Sequence, residues 1–228
     1  MIFNTPSNPS GSVYTKAELE ALGAVLKKYP NIYVISDEIY EYINFSGNFA
    51  SFAEVSALKD RVVTINGVSK AFAMTGWRVG YMGAHPTIAK ACAKIQSQVT
   101  SGANSIAQKA IIAALDGGKS KIQYMIDAFD ERRRLVYQLL KDIPGFKVNM
   151  PTGAFYFFPD VSAFFGLTFN GRQIKNATDL SMYLLEEAKV ATVTGEAFGN
   201  PECLRFSYAT SKEELIEAFK RVKKALKF

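Results

Sequence analysis

The chain has 228 residues, 48% hydrophobic and 21% charged, which is material for one or two cored domains and excludes a disordered or fibrous chain. Its formal net charge of +6 does not mark a nucleic-acid surface, because the basic residues alternate with acids, as in Asp130-Glu131 beside Arg132-Arg133-Arg134. No apolar run is long enough to span a bilayer, no leader pattern opens the chain, and its two cysteines, Cys92 and Cys203, read as reduced thiols, so a cytoplasmic protein with neither membrane nor nucleic-acid partners is expected. The single histidine, His85, excludes a His-rich metal site, and no metal is expected; its place before Pro86 reads as a helix entry.

Met1-Ile2-Phe3 reads as the end of a strand that runs straight into a Pro/Gly-rich loop, residues 4–11. Domains rarely begin at that end of a strand, so preceding sequence is expected. Thr15 opens a helix with Glu18 as its capping-box partner, and Leu19, Leu22, Leu26 and Tyr29 share one face. Residues 32–35 read as a short buried strand stopping where Ser36-Asp37-Glu38 begins. Further strands are expected over 62–65, ending at Asn66-Gly67, and over 79–83, with helices from Pro86 and from about Asn104 to Gly117-Gly118. One long helix is predicted over about 119–142. The domain boundary is placed in or beside it, giving domains 1–120 and 121–228. Beyond it the pattern predicts strands at 146–150, 154–158, 191–193 and 204–208, a helix over about 178–189, and a last helix opened by Ser211 with Leu215, Phe219, Val222 and Leu226 inward. The loop 170–178 is the most polar stretch and is expected to be the most mobile. The alternation of strands and helices points to α/β.

Four places stand out because ligands of α/β sheets bind at the carboxyl ends of strands. Asp37 follows one predicted strand, Lys70 follows the next, Arg78 precedes a third, and Asn8 lies in a loop with two prolines. Singly, each has an ordinary reading: a helix cap, a surface lysine, an ion-pair partner, a turn former. Together they suit a cofactor with an aldehyde, a pyridine nitrogen and a phosphate. A lysine forms a Schiff base with the aldehyde, an acid holds the pyridine nitrogen protonated, and an arginine pairs with the phosphate.

The stretch Gly67-Val68-Ser69-Lys70-Ala71-Phe72-Ala73-Met74-Thr75-Gly76-Trp77-Arg78-Val79-Gly80 resembles the cofactor-attachment motif of the class I aminotransferases, closest to their bacterial aspartate/aromatic branch. Asn8-Pro9-Ser10-Gly11, Asp37-Glu38-Ile39-Tyr40, Gly153-Ala154-Phe155-Tyr156 and Arg205-Phe206-Ser207-Tyr208-Ala209 resemble further motifs of that family, in its order and at about its spacing. The resemblance implies the C-terminal part of a pyridoxal 5'-phosphate (PLP) enzyme: residues 1–120 as part of the large domain, with a mostly parallel sheet and flanking helices, and 121–228 as a connecting helix and a small α/β domain.

It also implies roles. Lys70 carries the Schiff base and moves the proton between the substrate α-carbon and the cofactor. Asp37 pairs with the pyridine nitrogen, Tyr40 and Asn8 hydrogen-bond the phenolic oxygen, Arg78 binds the phosphate, and Arg205, with Asn8, binds the substrate carboxylate. Trp77, Phe155 and Tyr156 are read as packing, the last two with the alternative of shaping the pocket. The implied reaction carries an amino group from an amino acid, aspartate first, to a 2-oxo acid such as 2-oxoglutarate, in a homodimeric parent. Two departures stand out. Many relatives have Ser or Thr at the place of Gly67, where a hydroxyl reaches the phosphate, and the family's N-terminal half has no counterpart here. By itself the chain is therefore expected to hold PLP weakly and turn over little. The alternatives are a PLP-dependent carbon–sulfur lyase or synthase of the same fold, and a non-catalytic, aminotransferase-like regulatory module.

Overall fold

All residues, 1–228, are described in the computed structural model. Two units emerge from the contact pattern: Met1–Ser7 with Ser12–Ile126, and Asn8–Gly11 with Asp127–Phe228.

The first unit is built on four strands, β1 (Ile2–Asn4), β2 (Val34–Asp37), β3 (Val62–Gly67) and β4 (Gly80–Gly83), in that spatial order. β1, β2 and β3 run parallel; β4 turns back antiparallel on β3. Helix α1 (Lys16–Leu26) starts where the sequence places it: the Thr15 hydroxyl accepts the Glu18 N–H, and the Glu18 carboxylate accepts the Thr15 N–H. Leu19 and Leu26 are buried with Val34, Phe52, Val55, Leu58 and Val62 on one face of the sheet. Tyr29 does not join them and is 54% exposed. The helix ends at Leu26, and past it Arg61 donates to the carbonyls of Leu26, Tyr29 and Ile32, adding to the turn bonds from the Tyr29 and Ile32 N–H groups to the first two.

The second strand differs from its prediction in place and in burial. It runs Val34–Asp37, because the ladder to β3 pairs Ser36 with Thr64 and Asp37 with Ile65 despite the polar side chains. It alternates: Val34 and Ser36 are buried, while Ile35 is 42% exposed on the opposite face of the sheet. Helix α2 (Pro86–Val99) enters through His85, whose Nδ1 accepts the Thr87 N–H at 3.4 Å. Helix α3 (Ser105–Gly117) is capped by Asn104. The single helix predicted from about 119 is instead a 3₁₀ turn, Lys119–Ile122, followed by α4 (Gln123–Lys141), within which the division between the units falls.

In the second unit the strands are short: β5 (Tyr156–Phe157), β6 (Thr168–Phe169), β7 (Arg172–Gln173), β8 (Val193–Thr194) and β9 (Leu204–Ser207). β5, β9 and β8 form an antiparallel sheet in that order. The strand expected at 146–150 is reduced to one bridge, Lys147 to Asp160. The polar loop expected over 170–178 is in fact a hairpin, β6–β7, turned by Asn170 and Gly171, both with left-handed backbone (φ 49 and 80). Asn-Gly favours this turn, and the buried Ile174 and Ala177 fix the segment after it. Helix α5 (Ala177–Tyr183) continues as a π turn, Leu184–Ala188, and stops at left-handed Lys189. Helix α6 (Lys212–Ala225) is capped by Ser211 and buries Leu215, Phe219 and Val222, with Leu226 just beyond its end, as its periodicity predicts. The buried phenols are satisfied: Tyr183 donates to the Ala225 carbonyl at 2.8 Å and Tyr208 to the Ala154 carbonyl at 2.9 Å. No helix is long and apolar enough to cross a membrane.

Candidate active site

In the first unit, the exits of β2 and β3 lie side by side at the carboxyl edge of the sheet. Asp37 is the last residue of β2; its carbonyl accepts from the Asn4 side chain at 2.9 Å and from the Thr5 N–H at 3.2 Å. Its Oδ1 accepts the Ile39 N–H at 3.2 Å, which bends the chain into the turn that buries Tyr40. Lys70 leaves β3 three residues after Gly67, is half-buried, and enters no ion pair or side-chain hydrogen bond. Arg78 stands two residues before Gly80, which pairs with Gly67, so the antiparallel return of β4 brings it to the same edge. The topology thus gathers Asp37, Tyr40, Lys70 and Arg78.

The turn after β2 is held by a buried carboxylate. Glu38 is 1% exposed, and one of its oxygens accepts from the Ser36 hydroxyl (2.8 Å), the Ser51 hydroxyl (2.9 Å) and the Phe52 N–H (3.1 Å). Burial pushes its carboxyl up, against the pull of those three donors. The segment between Lys70 and β4 is bracketed by Ala73 and Arg78, both with left-handed backbone (φ 52 at each). That conformation is rare for residues with a Cβ and is strained. It opens a hollow of about 650 Å³ lined by Ala73, Gly76, Trp77 and Arg78 and by Asn104 and Ala107 at the start of α3. Arg78 donates to the Thr75 carbonyl at 3.0 Å and is otherwise exposed there. Trp77, read as packing from the sequence, is 47% exposed and lines this hollow.

The glycine at position 67 also has a steric reason. A Cβ there would stand 3.2 Å from the Gly80 Cα and 3.3 Å from the Val79 carbonyl oxygen, so the backbone of β4 would have to give by a few tenths of an ångström. Gly67→Ala is expected to destabilise the fold by about 1–3 kcal/mol. Chemical denaturation checks this, and an unchanged midpoint would show that β4 yields freely.

In the second unit, Arg205 extends from β9. Its Nη1 donates to the Asn8 side-chain oxygen at 2.7 Å. Its guanidinium lies over the Tyr156 ring at 4.6 Å and the Phe198 ring at 5.0 Å. Its Nε is buried with no hydrogen-bond partner. A planar cation fixed by two rings and an amide, with a buried donor left over, has the geometry to pair with a carboxylate in a fork. Asn8 is carried by the segment Asn8–Gly11, which groups with this unit and not with the strand it follows. The Gly11 carbonyl accepts the N–H groups of Thr152 (2.9 Å) and Gly153 (2.8 Å). The Pro151 carbonyl of that turn accepts from buried Arg133 at 2.7 Å.

The sequence missed Phe198 and read Tyr156 as packing that could also shape the pocket. Phe198 ends a 3₁₀ turn directly after β8, and β8 pairs Val193 with Arg205. Tyr156 pairs with Ser207 across β5 and β9. Both rings reach Arg205 through strand pairing, which leaves no local signature. Phe155, read as packing, is buried and stacks on Phe129 at 5.3 Å between ring centroids.

A model of the family described as aminotransferase class I and II matches residues 1–222. The chain is 46% identical over 231 residues to a bifunctional aspartate aminotransferase and glutamate/aspartate-prephenate aminotransferase of Petunia hybrida, covering 99% of this chain and 48% of that protein. It is 47% identical over 225 residues to an aspartate/prephenate aminotransferase of Nitrosomonas europaea, covering 97% of this chain and 57% of that one. The crystal structure of an aspartate aminotransferase from Rhizobium meliloti superposes with a TM-score of 0.95 at 43% identity, over 99% of this chain and 57% of that one. The chain thus spans about half the length of the curated relatives it matches. With a family model matched over nearly its whole length, it belongs to the class I and II aminotransferases.

Proposed function

We propose that this chain carries the cofactor-binding and carboxylate-binding residues of a PLP-dependent aminotransferase that moves the amino group of aspartate to a 2-oxo acid, 2-oxoglutarate in the first instance. The observation that carries the reading is the fork at Arg205: an arginine stacked between Tyr156 and Phe198, steadied by Asn8, with a buried Nε left unpartnered. The groups at the sheet edge fit the cofactor: a lysine outside any ion pair, a carboxylate at a strand end, a buried phenol and an arginine beside a hollow at a helix N-terminus.

When bound, PLP supplies an electron sink for the carbanion formed at the substrate α-carbon. Lys70 would hold the cofactor through its Nζ, and that nitrogen, once displaced by the substrate amine, would take the proton at the α-carbon and return it. The Asp37 carboxylate holds a proton on the ring nitrogen. The Tyr40 hydroxyl donates to the phenolic oxygen, and Arg78 pairs with the phosphate. Arg205 takes the α-carboxylate as a two-pronged donor, and Asn8 keeps its guanidinium in plane. The whole protein is proposed to act in the cytoplasm as a homodimer. Prephenate is a second candidate acceptor, since the Petunia and Nitrosomonas relatives are named for it.

The test is a stoichiometric half-reaction. The chain is loaded with PLP and followed by absorption near the visible edge while aspartate is added. Bleaching of the band with matching release of oxaloacetate is expected. A band that persists with aspartate while sulfur-containing amino acids release pyruvate would point to a lyase. A band unmoved by any amino acid would contradict catalytic use of the site.

A further inference from the structure

We propose that Glu41 and Asn66 are positioning residues that lock the turn carrying Asp37 and Tyr40 to the turn carrying Lys70; the inference rests on the roles of those three residues given above.

The backbone ladder between β2 and β3 ends at the pair Asp37 and Ile65, with one more bond from the Glu38 N–H to the Ile65 carbonyl at 2.9 Å. Beyond it β2 leaves the sheet, while β3 continues through Asn66 and Gly67 paired with β4 alone, and the backbone bonds past the two exits close within their own turns: Glu41 to Glu38 and Ile43 to Tyr40 on one side, Phe72 to Val68 and Ala73 to Lys70 on the other. A catalytic acid and a catalytic lysine on two independently closing turns need a cross-tie to keep them within the fraction of an ångström that such sites require.

Asn66 supplies one end of that tie. It is 5% exposed, and both ends of its amide are used. Nδ2 donates to the Glu41 carboxylate at 2.8 Å, and Oδ1 accepts the Gly67 N–H at 2.7 Å. Only one orientation of the amide satisfies both partners, so the side chain reads the turn after β2 and sets the first peptide of the turn after β3. Around the tie, the Tyr42 ring, next along the chain from Glu41, meets the Phe72 ring edge-on at 5.5 Å, two residues past Lys70. Tyr81, opposite Asn66 on β4, has its phenol pushed up to about 12, first by burial and then by the Glu41 charge.

Burial itself raises the Glu41 carboxyl, and the nearby Glu38 charge raises it further. Desolvation thus disfavours an ionised carboxylate at this place. What it provides is a directional acceptor.

The experiment uses the full chain with four variants: Glu41→Ala, Glu41→Gln, Asn66→Asp, and the pair Glu41→Gln with Asn66→Asp. In Asn66→Asp the introduced carboxylate still accepts the Gly67 N–H but faces Glu41 without a donor. In the pair, the introduced glutamine amide donates to the introduced carboxylate, restoring the tie with its direction reversed. Amide hydrogen exchange is read over residues 67–73, and PLP affinity is read from the Lys70-dependent absorption band. Glu41→Ala and Asn66→Asp are expected to speed exchange over 67–73 and to weaken PLP binding about tenfold, while core amides such as Val34 and Val62 stay protected. Glu41→Gln alone, which keeps an acceptor for Asn66, and the reversed pair should both return near the unsubstituted values.

Wild-type exchange over 67–73 in Glu41→Ala, or a reversed pair no better than Asn66→Asp alone, would overturn the proposal. Exchange rising equally throughout the sheet would overturn it too, since the pair would then serve the fold and not the turn. If the unsubstituted chain forms no band at Lys70, the cofactor reading fails, and the exchange arms still decide whether the two turns are coupled.

Discussion

Replacing Arg205 with leucine is expected to raise the aspartate concentration that half-bleaches the PLP-loaded chain by about 30- to several thousand-fold, the equivalent of about 2–5 kcal/mol for a desolvated charge partner. Arg205 makes no ion pair and its Nε is already buried without a partner, so the change costs the fold its contacts with the Tyr156 and Phe198 rings and its bond to Asn8, and chemical denaturation is read alongside. Arg205→Lys should recover only part of the loss, because an ammonium keeps the charge but not the planar fork or the stacking. If leucine leaves the aspartate dependence unchanged, the substrate carboxylate binds elsewhere.

Asp37→Asn is the second large effect. The introduced amide can still accept the Ile39 N–H that shapes the turn, so Tyr40 should remain buried. The negative charge that holds a proton on the ring nitrogen is lost. The half-reaction with aspartate is expected to slow on the order of 10²- to 10⁴-fold, the usual range for a misassigned proton in catalysis, while the absorption band that reports attachment at Lys70 persists. A half-reaction at the original rate would reduce Asp37 to a turn residue.

How far the sequence carried this account depended on whether a feature was local. The capping box at Thr15, the helix entry at His85, the cap at Ser211 and the buried face of α6 were all readable, because each is set by residues within one or two turns of one another. The strand at 34–37 was placed two residues early because Ser36 and Asp37 look like a terminus. Only pairing with Thr64 and Ile65 extends the strand through them. The hairpin at Asn170-Gly171 was a local signal that was overlooked, and the polarity of its neighbours suggested mobility instead.

The site divides in the same way. Lys70, Asp37, Tyr40, Arg78 and Arg205 were legible because they sit in long motifs. The rings that hold Arg205, and the link from Glu41 to Asn66 across 25 positions, depend on which strands pair. Gly67 shows both aspects. As a departure from a common Ser or Thr it reads as a lost phosphate contact, whereas in the fold it is the place where β4 would have to give by a few tenths of an ångström to admit a side chain.

The most direct test of the central claim is to load the chain with PLP, reduce it with borohydride, and locate the modified lysine by mass spectrometry of its peptides. Stoichiometric modification of Lys70, absent from Lys70→Ala, is the predicted result. Modification spread over other lysines, or undiminished in Lys70→Ala, would contradict it.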